Sequence, residues 1–247
     1  MPKNSHVVFI AGENEYKSEA SLPGLAAELQ ERPGFRCTVL IDKNLPDAWR
    51  PELGKRIHDI PNLQALEQAD LAVLYLRFRQ LPEEQLAHLQ RYLDAGKPLV
   101  AFRTTTHAFN YAEGDPLRET WNSFGARVLG APWIHHYGHE SSTDVTHVPE
   151  ATGDPILEGV APAFHVRSWL YQVLPDFPPP DARPLLLGTS TGPSERKTRQ
   201  PNPVAWTRTL PKGNRVFTTT LGHPEDFPLA PFRKLVMNGI QWALGRD

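Results

Sequence analysis

The chain alternates between short apolar runs and longer stretches in which apolar residues recur every three or four positions. Val7-Val8-Phe9-Ile10-Ala11, Cys37-Thr38-Val39-Leu40-Ile41, Leu71-Ala72-Val73-Leu74-Tyr75-Leu76 and Leu99-Val100-Ala101-Phe102 are nearly continuous apolar segments, the pattern of strands buried on both faces. Between them, Leu22, Leu25, Ala26 and Leu29 step at helical spacing and stop near Pro33-Gly34. Leu86, Leu89 and Leu93 follow Pro82 and precede Gly96, with proline opening a helix and glycine closing it. Leu117, Trp121, Phe124 and Val128 predict one further helix with a heavy apolar face. Phe232, Leu235, Val236, Gly239, Ile240 and Ala243 make the stripe of the last.

The rest of the pattern is weaker. Thr143–Val148 alternates like a strand, and Phe164-His165-Val166 reads as another. Residues 42–62 are irregular, broken by Pro46, Pro51, Gly54 and Pro61, and 175–203 are loop-rich apart from Leu185-Leu186-Leu187. Val204-Ala205-Trp206 and Val216–Thr220 flank a turn at Lys212-Gly213-Asn214. The order β-α-β-β-α-β-α predicts a flavodoxin-like three-layer α/β/α sandwich with a mainly parallel sheet, as one domain spanning residues 1–247.

Composition narrows the function classes. A net charge of −2 offers no basic stripe for nucleic acid. The single cysteine, Cys37, excludes an internal disulfide and a cysteine-based zinc site, and its apolar run reads as a buried structural thiol. No apolar stretch has membrane-spanning length, and Val7–Ala11 is too short for a signal-peptide core, so the chain reads as cytoplasmic unless a secretion signal has been removed. The expected partner is a small molecule, without an organic cofactor or a membrane, and the residues leave room for a homo-oligomer.

Candidate chemistry gathers at strand ends, where an open α/β sheet places its ligands. After Leu99–Phe102 the chain turns polar as Arg103-Thr104-Thr105-Thr106-His107. Glu13 and Tyr16 follow the first strand, Arg77 follows the third, and His223 and Glu225 follow Val216–Thr220. His135-His136-Tyr137-Gly138-His139 places three imidazoles in five residues. Such a cluster reads as a substrate-contacting or proton-transferring group, as a zinc site of a hydrolase, or as ordinary polar structure. Trp169 and Tyr171 alternate on an extended segment, either as core or as a stacking face for a sugar ring.

These residues resemble a known family. His223-Pro224-Glu225 entered from a strand is similar to the His-x-Glu pair of the class I glutamine amidotransferase-like fold, whose strand-turn elbow carries a nucleophilic cysteine. Here the elbow holds Arg103-Thr104-Thr105, so glutaminase chemistry is excluded. The chain resembles the ThuA-like (trehalose-utilisation) family, which has this fold without the nucleophile. The resemblance is carried by Val7–Gly12 with Glu15-Tyr16, the Arg103–Phe109 elbow, His139, Asp154–Val160, Tyr171, and Pro203–Trp206 leading into Val216–Phe227. Ala101-Phe102-Arg103-Thr104 replaces the Gly-x-His-Ser of many relatives, Asp154-Pro155-Ile156 the usual His-Pro-Ile, and Ser168-Trp169-Leu170-Tyr171 an acidic Asp-Glu-x-Tyr.

The resemblance implies sugar catabolism, with action on oxidised (3-keto) sugars or glycosides. On that reading Arg103 holds a developing enolate, His107, His139 and His223 are the acid and bases, and Glu225 orients His223. Glu13, Tyr16, Arg77, Thr104, Thr105, Trp169 and Tyr171 contact the sugar. Two other readings stay open: a non-catalytic sugar-binding or assembly module, and a metal-dependent hydrolase using His135–His139.

Overall fold

The computed structural model describes residues 4–45, 58–193 and 200–246. The stretch 46–57, within the irregular region at 42–62, lies outside the described residues. The apolar runs form β1 (Ser5–Gly12), β2 (Phe35–Ile41), β3 (Leu71–Leu76) and β4 (Leu99–Phe102), interleaved with α1 (Ser18–Gln30) and α2 (Glu83–Asp94). After these come α3 (Arg118–Asn122), β5 (His135–His136), β6 (Ser142–His147), β7 (Ala163–Val166) and β8 (Tyr171–Gln172). The chain ends with β9 (Arg183–Thr191), β10 (Asn202–Thr209), β11 (Arg215–Thr219) and α4 (Ala230–Ala243).

Among the described residues nine strands make one sheet in the order β2-β1-β3-β4-β11-β10-β9-β6-β7, and β5 pairs with β8 apart from it. β2, β1, β3, β4 and β11 run parallel, and the sheet continues antiparallel through β10, β9, β6 and β7. Alternation along the parallel strands sorts side chains to two faces. Val7, Phe9, Val73, Tyr75, Val100 and Phe217 pack with α1 and α4. Val8, Ile10, Leu74, Leu99, Ala101 and Val216 pack with α2 and α3. The three-layer flavodoxin-like sandwich follows directly, because strands buried on both faces need a helix layer on each.

Two elements differ from the pattern reading. The helix expected through Leu117–Val128 is broken: α3 stops at Asn122 and a π turn covers Gly125–Leu129. Trp121, Phe124 and Val128 still share one core, while Gly125 packs so closely on the Thr106 carbonyl that no Cβ would fit. The expected loop around Leu185–Leu187 is a nine-residue strand, β9, held by β10 and β6 on either side. Thr189, Ser190 and Thr191 carry no apolar signal, and their pairing partners supply the order.

Gly239 lies in the interior of α4, where alanine usually stabilises a helix. Here an added Cβ would meet the Phe217 ring. Gly239→Ala is expected to lower stability by about 1–3 kcal/mol, the scale of overpacking; a thermal melt at or above the wild-type midpoint would refute this close helix–sheet approach.

Candidate active site at the strand ends

The order β2-β1-β3 makes a switch point between β1 and β3, since α1 leaves β1 on one face and α2 follows β3 on the other. Beside this crevice, β4 ends at Phe102 and Arg103 takes a left-handed backbone with φ of 39°. Such a conformation is strained for a side chain of this size. It is held by Thr106 Oγ1, which donates to the Arg103 carbonyl at 3.2 Å. Thr105 Oγ1 accepts from the Leu76 N–H at 3.1 Å and donates to the Leu74 carbonyl at 3.0 Å, tying the elbow to β3.

The turn aims the Arg103 guanidinium inward, where it is fully buried. Its carbon lies 4.3 Å from the Tyr16 ring centroid and 4.7 Å from those of both Trp169 and Tyr171. It donates to the carbonyls of Thr220 (2.9 Å) and Trp169 (3.3 Å) and to the Tyr16 hydroxyl (3.1 Å). Three ring faces and three acceptors compensate a cation that arginine cannot shed. Tyr16 passes its own proton toward Glu15 Oε1 at 2.8 Å, and Glu15 Oε2 pairs with Arg77 Nε at 3.2 Å. A cation–phenol–carboxylate–cation chain therefore runs from the β4 elbow to the end of β3.

The imidazoles surround this cluster. His107 sits among Phe78 (5.0 Å between ring centroids), Trp133 (5.5 Å) and Tyr171 (6.3 Å). Burial, helped by the guanidinium groups of Arg77 and Arg103, pushes its pKa well below the usual histidine value, so the ring is neutral. His139 and His223 both pack on Trp169, at 4.9 and 6.0 Å. His223 is also lowered, first by burial and then by Arg103 and Arg167, against the opposing Asp226 and Glu225. Its Nδ1 accepts the Glu225 N–H at 3.2 Å, so the neutral ring carries its proton on Nε2.

Several side chains expected to contact a substrate are turned to other work. Arg103 itself is fully buried, so its guanidinium does not face solvent where direct contact with an enolate was expected. Glu13 is fully buried and accepts the backbone N–H groups of Glu15, Tyr16 and Ser18 at 2.9–3.0 Å, which folds the loop before α1. Burial raises this carboxyl to about 7 in spite of those donors. Thr104 is buried, and the Thr105 hydroxyl is used on the β3 backbone. The Glu225 carboxylate is mostly exposed and stands 3.9 Å from His223 Nδ1, so its backbone N–H, not its acid, orients the ring.

The acid that organises this loop is Asp226, which is fully buried. It accepts from the N–H groups of Arg167, Ser168, Gly222 and His223 and from the Ser168 hydroxyl at 2.5 Å. Asp226 and Glu15 lie in stretches that carry the family resemblance, but nothing in their spacing marks either as a site residue. The His135 and His136 rings stack, and His139 meets the edge of His136 at 4.5 Å. Among the described residues no group of three or more His, Cys, Asp or Glu is arranged to hold a metal ion.

A sheet of this order, carrying a buried cation at a strained elbow under a ring of imidazoles, defines a flavodoxin-like protein whose elbow lacks a nucleophile. The chain belongs to the ThuA family, described as trehalose utilisation, whose sequence pattern matches residues 56–243. Among solved structures it is similar to a ThuA-like protein from Parabacteroides merdae, at 18% identity and a TM-score of 0.66, covering 98% of this chain and 90% of that one. A ThuA-like protein from Bacteroides uniformis aligns at 13% identity and a TM-score of 0.65, over 99% of this chain and 93% of that one. A β-galactosidase from Rahnella sp. R3 shares the fold over 99% of this chain but 32% of its own, at 14% identity and a TM-score of 0.53. No curated protein matches the chain. The family points to a carbohydrate-related role.

Removing the caged cation leaves a cavity and unpaired carbonyls. Arg103→Ala is expected to cost roughly 3–5 kcal/mol of stability, with Arg103→Lys recovering only part, since an ammonium cannot match the planar fork. Urea unfolding checks both, and a wild-type midpoint for Arg103→Ala would overturn the structural role. Glu13 gives a pH signature. Its carboxyl titrates near 7 when folded and near 4.5 as a free group, so between those values the folded state binds more protons and stability falls as pH rises. The unfolding free energy of wild type relative to Glu13→Gln should decline from about pH 4 to about pH 8; a difference independent of pH would show that folding does not raise the Glu13 carboxyl.

Proposed function

We propose that the protein is an enzyme of carbohydrate metabolism that acts on an oxidised, 3-keto sugar or glycoside by acid-base chemistry. A carbonyl at C3 acidifies the proton on C2. A base removes that proton, the electron pair forms an enolate, and the charge moves to the carbonyl oxygen. Either the proton returns to a neighbouring carbon, or the C1–oxygen bond breaks and the departing oxygen takes the proton. His223 is the donor to the carbonyl oxygen, because its neutral ring presents Nε2–H while Nδ1 is held by the Glu225 N–H. His139, on the same indole and exposed, moves the proton.

The observation that carries this reading is the packing of His139 and His223 on the same indole that a permanently charged Arg103 also contacts. The cation favours negative charge developing near it, and it adds to burial in lowering the pKa of His223. Membership of the ThuA family supports the carbohydrate part of the proposal. The unpaired buried atoms at the elbow, Arg103 Nε, Thr104 Oγ1 and Thr220 Oγ1, support a functional cost, since each such atom is worth about 1–3 kcal/mol of stability. The inward elbow favours one rival, a sugar-binding module without turnover.

One assay separates them. The pure protein is mixed with 3-keto glucose and 3-keto glucosides, and loss of the ketone and release of the C1 group are followed. Turnover should fall about hundredfold or more in His223→Ala, fall in His139→Ala, and stay unchanged in His88→Ala, whose ring bonds Glu67 on the far side of α2. Undiminished turnover in both His223→Ala and His139→Ala would defeat the assignment. Sugar binding without turnover in wild type would establish the binding module.

A further inference from the structure

The loop between α3 and β5 exposes two large apolar side chains side by side, Trp133 at 40% and Ile134 at 39%. A few apolar residues at a surface are ordinary, and a pair is far too small for a protein interface of about 800 Å² per partner; what distinguishes this pair is its place beside the candidate site. The pair matches the apolar face of one pyranose ring. The patch also borders the candidate site: Trp133 lies 5.5 Å from the His107 ring and 6.4 Å from the His136 ring. Beyond His107 stands Phe78, whose φ of 52° is a second strained, bulky position, at the end of the strand next to the Arg103 elbow. Strain of this kind persists where the surroundings fix a side chain for a purpose.

We propose that Trp133 and Ile134 form a second-ring subsite, so that the substrate is a glycoside with a ring-bearing group at C1, not a free monosaccharide. This rests on the proposed function above. The indole stacks on the C–H face of the outer ring, an arrangement suited to an amphipathic side chain with one apolar face. His107, neutral and packed against both Phe78 and Trp133, borders that ring and offers it a hydrogen bond. His136 stands beside the indole to meet hydroxyls at its rim.

The test compares methyl 3-keto-glucoside with phenyl 3-keto-glucoside and a 3-keto disaccharide, by calorimetry and by turnover, for wild type, Trp133→Ala and Trp133→Phe. Trp133→Ala should weaken the two-ring ligands about tenfold, on the scale of one lost stacking contact, and leave the methyl glucoside unchanged; Trp133→Phe should restore most of the loss. Trp133 is exposed, and the methyl glucoside result controls for folding. Equal binding of one-ring and two-ring ligands by Trp133→Ala and wild type would overturn the subsite while leaving the proposed function standing. Failure of wild type to bind any of the three would overturn both. A change in sedimentation with sugar binding untouched would assign the patch to self-association and overturn the subsite.

Discussion

Everything at the carboxyl edge of this sheet is arranged around a guanidinium with no access to water. Arg103 contacts the β1 loop through Tyr16, the end of β11 through the Thr220 carbonyl, and the 169–171 segment through Trp169 and Tyr171. A buried cation without partners costs several kcal/mol, so each of these contacts is needed for the others to persist. Three ring faces, each worth about 2 kcal/mol when desolvated, and three oxygen acceptors provide the compensation. The left-handed turn at Arg103 is the backbone consequence, because an extended residue there would continue β4 and send the side chain elsewhere.

From this centre, charge is passed outward in alternating sign. Tyr16 and Glu15 connect Arg103 to Arg77, and the two cations add to burial in keeping His107 neutral. On the other side, Asp226 gathers four backbone N–H groups and the Ser168 hydroxyl, which fixes both the Trp169 segment and the loop bearing His223. Tyr75 adds a bond from its hydroxyl to the Gly222 carbonyl at 2.7 Å. His107 and His223 thus owe their neutral state first to burial and then to the neighbouring guanidinium groups.

The antiparallel half of the sheet has a definite task in this arrangement. It supports the segment that supplies two of the three cage rings: Thr143 of β6 donates to the Ser168 carbonyl at 2.7 Å, and Tyr137 donates its N–H to the Leu170 carbonyl at 3.0 Å. Asn202 of β10 accepts from Val173 and Leu174 just beyond Tyr171. The parallel strands place the elbow, and the antiparallel strands bring the lid of aromatic rings over it. Among the described residues no helix is long and apolar enough to cross a membrane.

Hydrophobic patterning by itself determined the parallel core. Strands such as Leu71–Leu76 and Leu99–Phe102 are buried on both faces, so each residue along them reports the same environment and their ends are sharp. The same patterning placed Arg103, His107, Tyr16, Arg77 and His223 at strand ends, because a sheet edge is where an apolar run must stop. It could not tell which polar side chains point inward. Arg103 and Asp226 are buried with hydrogen bonds to backbone groups far away in sequence and Glu13 with those of its own loop, and a carboxylate that serves its own loop looks the same in sequence as one that waits for a substrate. The nine-residue β9 and the broken helix at Gly125 were decided by neighbours as well, by strand pairing on both edges and by the close approach of the Thr106 carbonyl. Local pattern records whether a residue is buried by apolar contact; burial by polar pairing across the fold is fixed only when the distant partners meet.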